Sequence, residues 1–97
     1  MERFKARTGV VLTSVCGENL LVAAKSLREL CPYVTSINEG SAFLWKRLGA
    51  GATRDELLAA VEEEYEVEDP AALRDVIEAF LKQMREMNYV LTEEQEE

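Results

Sequence analysis

The stretch YVTSINEGSAFLWKRL at residues 33–48 constrains the chain more than any other. Tyr33, Val34, Thr35, Ser36 and Ile37 alternate bulky and small side chains and are rich in β-formers, which predicts a strand. Asn38 is a favourable N-cap, and Ala42, Leu44, Trp45 and Leu48 recur behind it at helical spacing. A strand that turns straight into a helix at a capping asparagine joins two structural layers. The residues before it read as short strands, and nearly fifty residues after it read as helix.

Taken in order, residues 1–8 are polar and are predicted to fray. Residues 10–15 are apolar and mostly β-branched, a first strand. Cys16, Gly17, Glu18 and Asn19 suit a tight hairpin turn, and residues 20–24 form the returning strand. Residues 26–32 read as a loop with one helical turn, because Pro32 disfavours helix in the residue before it. The third strand is residues 33–37. The first helix spans 39–48 and stops at Gly49-Ala50-Gly51, where two glycines make continuation costly.

Thr53 and Glu56 form a capping box that opens the second helix. That helix carries Leu57, Leu58, Val61 and Tyr65 on one face and Glu62, Glu63 and Glu64 on the other. Asp69 followed by Pro70 starts the third helix, whose stripe is Leu73, Val76, Ile77, Phe80, Leu81, Met84 and Met87. Asn88 serves as a left-handed stop, and residues 89–91 pack back as a short extension. Residues 92–97 form an acidic tail too polar to fold. The expected architecture is α+β: one domain over residues 8–91, with a three-stranded antiparallel sheet followed by three helices in a winged helix-turn-helix-like order.

Composition narrows the function. Ninety-seven residues with 47% apolar side chains make one domain with a modest core. No run approaches the roughly 18–20 apolar residues that cross a bilayer, and the charged N-terminus lacks a signal-peptide core, so the expected location is cytoplasmic. Cys16 and Cys31 form no CxxC, and the chain has no histidine. A zinc set is therefore incomplete, and the usual general base is missing. In a reducing compartment both thiols are expected free, Cys31 half-buried beside Pro32. Residues 1–52 carry seven basic and four acidic side chains, whereas residues 53–97 carry four basic and fifteen acidic. A half at −11 repels phosphate backbones and is a poor nucleic-acid surface. Glu62, Glu63 and Glu64 do not converge on a helix and read as a solvated face. Trp45 reads as the core anchor of its helix. No catalytic constellation, metal site or cofactor motif is present, which points away from an enzyme.

Four segments in order resemble the PqqD-like family. INEGSAFLWKRL at 37–48 is similar to its LNETGAxIWxLL signature, and TRDELL at 53–58 to the start of its second helix. EEYEV at 63–67 is similar to EEYDV, and DVIEAFL at 75–81 to DVxxFL. VLTSVCGENLLV at 11–22 resembles the opening hairpin of stand-alone members. Gly40-Ser41 replaces a usual threonine, and Asn88 stands where the last helix normally ends in glycine. Nothing singles out the quinone-cofactor pathway that names the family.

The resemblance implies a RiPP recognition element, a domain that binds the leader of a ribosomally made precursor peptide and presents it to a modifying enzyme, often a radical SAM enzyme. The leader would add as a strand beside residues 33–37, in a groove against the third helix. Carried over, the site is Tyr33, Val34, Thr35, Ser36 and Ile37 with Leu73, Arg74, Val76, Ile77 and Phe80. An edge strand is a template for such addition, although on residues alone the strand reads first as structural, with its edge covered. The stripe of the third helix is core first, with some members shared with the groove. Arg74 and Asp75 have surface roles first and leader pairing second. A winged-helix DNA-binding regulator is the alternative, but its recognition helix would offer only Arg74, Lys82 and Arg85 among acids. Monomer and homodimer both remain open.

Overall fold

In the computed structural model, which describes residues 2–32 and 34–92, a hairpin is made first by the shortest connection available. Strands β2 (Val10–Val15) and β3 (Glu18–Ala23) pair antiparallel, with Val15 opposite Glu18. Only Cys16 and Gly17 separate them, at φ of 51° and 81°. Positive φ at both central residues gives a turn whose twist matches that of the strands, and glycine carries the second position without strain. Strand β4 (Val34–Ile37) adds to β3 with Leu21 opposite Thr35, giving the order β2-β3-β4. These are the three expected strands: the first has the expected bounds, the second starts two residues earlier and ends one earlier, and Tyr33 of the third lies outside the described residues.

The connection from β3 to β4 contains one 3₁₀ turn, Lys25–Leu27, as the proline had suggested. It is tied to the far end of the chain. The Cys31 thiol donates to the Asn88 carbonyl at 3.3 Å, and Asn88 Nδ2 donates to the Leu30 carbonyl at 3.1 Å. Cys31 is thus buried, at 1% exposure, rather than half-buried. Burial pushes its thiol pKa up, and the positive charge of Arg7 offsets part of that rise. Cys16 is exposed at the hairpin tip, and both cysteines are free. In a thiol-titration assay one equivalent reacts promptly in buffer and the second only as denaturant opens the fold. Prompt reaction of both would show that the Cys31 loop opens independently.

The three helices begin and end where local chemistry dictates. Asn38 caps α1 (Glu39–Leu48), its side chain accepting from the Ser41 N–H at 2.8 Å. The chain leaves α1 through Gly51 at φ 85°, and the Gly51 carbonyl accepts from Arg3. Helix α2 (Arg54–Glu64) opens on a complete capping box: Thr53 Oγ1 accepts from the Glu56 N–H, and Glu56 accepts from the Thr53 N–H. Helix α3 (Pro70–Glu86) starts with Asp69 accepting from the N–H groups of Ala71 and Ala72. It ends in a Schellman motif, with Asn88 at φ 63°, the Asn88 N–H on the Arg85 carbonyl and the Tyr89 N–H on the Met84 carbonyl.

That left-handed asparagine reverses the chain into β6 (Val90–Thr92) and creates a second sheet. Its centre is β1 (Arg3–Ala6), which pairs antiparallel with β6 on one side and with β5 (Ala52–Thr53) on the other. The expectation that residues 1–8 fray is therefore corrected. Phe4 is fully buried and faces the core shared by both sheets and all three helices. The expected extension at 89–91 is a strand, and Thr92, expected to open the tail, is buried in it; residues 93–97 lie outside the described residues. The architecture is α+β with three helices, as expected, but with two three-stranded antiparallel sheets in place of one.

Glu56 links the new sheet to the helices, since it accepts from the Thr53 N–H at 2.9 Å and from Arg3 at 3.0 Å. The Thr53 N–H and then the Arg3 guanidinium hold its carboxyl below the ordinary carboxylate range. A carboxyl lowered in the folded state contributes stability that is complete above its unfolded pKa and is lost as pH falls through the folded one. Glu56→Gln keeps an acceptor for the cap and removes the charge. Its urea midpoint is therefore expected to fall less than the parent's between about pH 6 and about pH 3. Equal losses in the two proteins would remove Glu56 from the acid response.

Candidate functional site

Strand β4 is at the edge of its sheet. It pairs with β3 alone, and its other side has no strand partner among the described residues. Such an edge leaves a row of N–H and C=O groups free to accept another strand. Alternation along β4 sorts its side chains: Val34 and Ser36 are exposed, while Thr35 and Ile37 are half-buried on the core side. Val34 is 63% exposed, a large fraction for a valine in a sheet.

Thr35 sets what lies beside this edge. Its hydroxyl is 3.0 Å from the Tyr89 hydroxyl and 3.8 Å from Met87 Sδ, so the C-terminal end of α3 abuts the core side of β4. Tyr89 is held in turn by an edge-on contact with Trp45, at 6.5 Å between ring centroids, and is fully buried. Trp45, at 6% exposure, is the core anchor that its spacing implied. The junction of β4 with α1 therefore rests on a rigid aromatic support.

Helix geometry shows which flank of α3 belongs with β4. At about 100° per residue, Val76, Gln83 and Met87 fall within about 40° of one another. Because Met87 meets Thr35, this is the flank turned toward β4. Ile77, Phe80, Leu81 and Met84 point into the core and are 5% exposed or less. Arg74, Glu78 and Arg85 lie about half a turn from Val76. Arg74 Nη1 is 3.4 Å from Asp55, and Arg54 pairs with Glu78, so that opposite flank faces the start of α2.

The structure thus separates the residues expected at the site. Val34, Thr35, Ser36 and Ile37 form an edge with no second strand partner among the described residues, and Val76, at 60% exposure, lies on the same α3 flank as Met87, which meets Thr35. Leu73 is half-buried at the boundary of that flank and the core. Ile77 and Phe80 are core residues with no surface to offer, and Arg74 is on the far side of the helix, paired with Asp55. Tyr33 lies outside the described residues. Met87, Gln83 and Tyr89 belong to the same region and were not anticipated there. The seven- and four-residue spacing from Val76 to Gln83 and Met87 was a legible signal for the first two. Tyr89 had none, since its position depends on the turn at Asn88.

Among the described residues no group of acidic or cysteine side chains is arranged to hold a metal ion, and no helix is long and apolar enough to cross a membrane. The family model described as coenzyme PQQ synthesis protein D (PqqD) matches residues 32–90, more than half of the chain. No curated protein and no solved structure matches it.

Proposed function

Because the chain belongs to the PqqD family, we propose that it binds the leader segment of a ribosomally synthesised precursor peptide by strand addition to β4 and presents the peptide to a modifying enzyme, of which a radical SAM enzyme is the first candidate. The family is one of accessory recognition proteins in peptide-derived natural-product biosynthesis, not of catalysts. The observation that carries the reading is the pairing of an open β4 edge with an apolar α3 flank, joined at the contact of Thr35 with Met87. Backbone hydrogen bonds along β4 give register and are indifferent to sequence, while alternate side chains of the added strand read the surface beside it. Val76 and the half-buried Leu73 and Met87 supply apolar contact there. The rigidity of β4, held by Tyr89 and Trp45 from beneath, lowers the ordering cost of binding.

The test is a titration of ¹⁵N-labelled protein with the leader of a short precursor encoded beside its gene. Saturable shifts are expected in the amides of Val34, Thr35, Ser36 and Ile37 and along the Val76, Gln83 and Met87 flank. Unchanged spectra at high micromolar leader would reject the proposal. A DNA-binding reading has no comparable support, because the exposed surface of α3 mixes Arg74, Lys82 and Arg85 with Asp75, Glu78 and Glu86 in a chain of net charge −8.

A further inference from the structure

The opposite flank of α3 forms a second groove, and its charge runs against that of the protein. An open depression of about 570 Å³ lies between α3 and strand β6, with Leu81, Val90 and Leu91 in its lining. Arg7, Arg54, Lys82 and Arg85 line it together with Glu78 and Glu86, a net of two positive charges on a protein of −8. Residues 53–97 hold only four basic side chains against fifteen acidic ones, and three of those four converge here. Arg54 is already engaged by Glu2 and Glu78. Arg7 uses Nε on the Asn88 carbonyl at 2.7 Å, which fixes its guanidinium at the end of the groove. Lys82 and Arg85 are exposed and make no hydrogen bond or ion pair with any described residue.

Beside these cations runs a second sheet edge. Strand β6 pairs with β1 alone, and its outer side has no strand partner among the described residues. A sheet edge recognises polypeptide backbone, and guanidinium and ammonium groups such as those of Lys82 and Arg85 recognise carboxylates. An open groove that offers both fits an extended acidic segment better than a small enclosed anion. We infer that the α3–β6 groove docks an acidic segment of the partner enzyme while the leader occupies β4, so that α3 separates two polypeptides held at once. The identity of this occupant rests on the leader-binding reading above; the groove itself does not. The two sites share one helix on different flanks, Arg85 about half a turn and Lys82 about a third of a turn from Val76.

The probe is a blocked hexapeptide of alternating glutamate and valine, with the lysine–valine peptide as control, titrated into the ¹⁵N-labelled full chain. The acidic peptide is expected to shift the amides of Lys82, Arg85, Glu86 and Val90–Thr92 saturably, to weaken as salt rises, and to leave the β4, Val76 and Gln83 amides in place. Lys82→Glu with Arg85→Glu should lower its affinity at least tenfold while leader affinity stays within twofold, and circular dichroism should show the variant folded. Absence of saturable shifts, equal shifts with the lysine peptide, or insensitivity to the double reversal would overturn the inference. Equal binding of inorganic phosphate or citrate at the same amides would overturn it too, by assigning the groove to small anions. Because the two sites report through different amides, a failed leader titration with an intact acidic-peptide response rejects the β4 reading and leaves the groove standing.

Discussion

Phe4→Ala is expected to lower the free energy of unfolding by about 3–5 kcal/mol in urea, the usual cost of emptying a buried phenylalanine site. Phe4 is fully buried at the centre of the three-stranded β5-β1-β6 sheet, opposite Ala52 on one side and Thr92 on the other. The guanidinium of Arg54 sits 4.7 Å from its ring centre, so the mutation also removes a cation–π contact. Neighbouring elements come from three distant parts of the chain and cannot close over the space without shifting one another. For a domain whose total stability is of order 5–15 kcal/mol, the loss is a large share. Val11→Ala is the control: at 57% exposure on β2 it should change stability by no more than about 0.5 kcal/mol. A Phe4→Ala loss below about 1 kcal/mol would mean that β1 is not part of the cooperative unit.

The second large effect is on binding. Val76→Glu should reduce leader affinity at least tenfold, about 1.4 kcal/mol, while leaving the thermal midpoint nearly unchanged. The side chain is 60% exposed, so a carboxylate there meets water in the free protein, but it would be desolvated beneath an apolar leader side chain. Ile77→Ala, one residue on, should behave in the opposite way. Ile77 is 2% exposed, and its truncation costs about 2–4 kcal/mol of stability. Arg74→Ala should leave leader affinity within about twofold, because Arg74 points toward Asp55 on the other flank. Anisotropy of a labelled leader together with thermal unfolding separates the three. Wild-type affinity in Val76→Glu would remove α3 from the leader site.

These contrasts show where the residue pattern informs and where it stops. The start of α1 at Asn38, the capping box at Thr53 and Glu56, the Asp69-Pro70 start of α3 and the stop at Asn88 were all legible. The three starts are decided by side chains within three residues of the N–H groups they satisfy, and the stop by a left-handed backbone that returns two N–H groups to carbonyls three and five residues back. The β2–β3 hairpin was legible for the same reason, since its turn needs two residues of positive φ and Cys16-Gly17 provides them. The candidate strand was visible as alternation, and β4 is where it was expected to be.

The stripe on α3 was legible as apolar but not as three separate surfaces. Its seven residues cover more than a core-facing stripe requires, so periodicity marks an excess without saying which member is exposed. What packs on either side of α3 decides that: β4 at Met87, the core at Ile77 and Phe80, and the start of α2 at Arg74. In the sequence Lys82 and Arg85 stand only as cations among acids on the third helix; the return of β6 puts them in one groove with Arg7.

The sequence by itself determined the helices, their ends and the hairpin, because those features are closed by hydrogen bonds between near neighbours, and it marked the strand that enters α1 by its alternation. Only the tertiary structure decided that Arg3–Ala6 is a central strand, that β4 and β6 are the edges flanking α3, and that Val76 faces outward. Phe4 finds Ala52 and Thr92 across most of the chain, in strands as short as two residues. Strands that short carry no periodicity of their own. They form because the core they cover excludes water, and that condition exists only once the helices have packed.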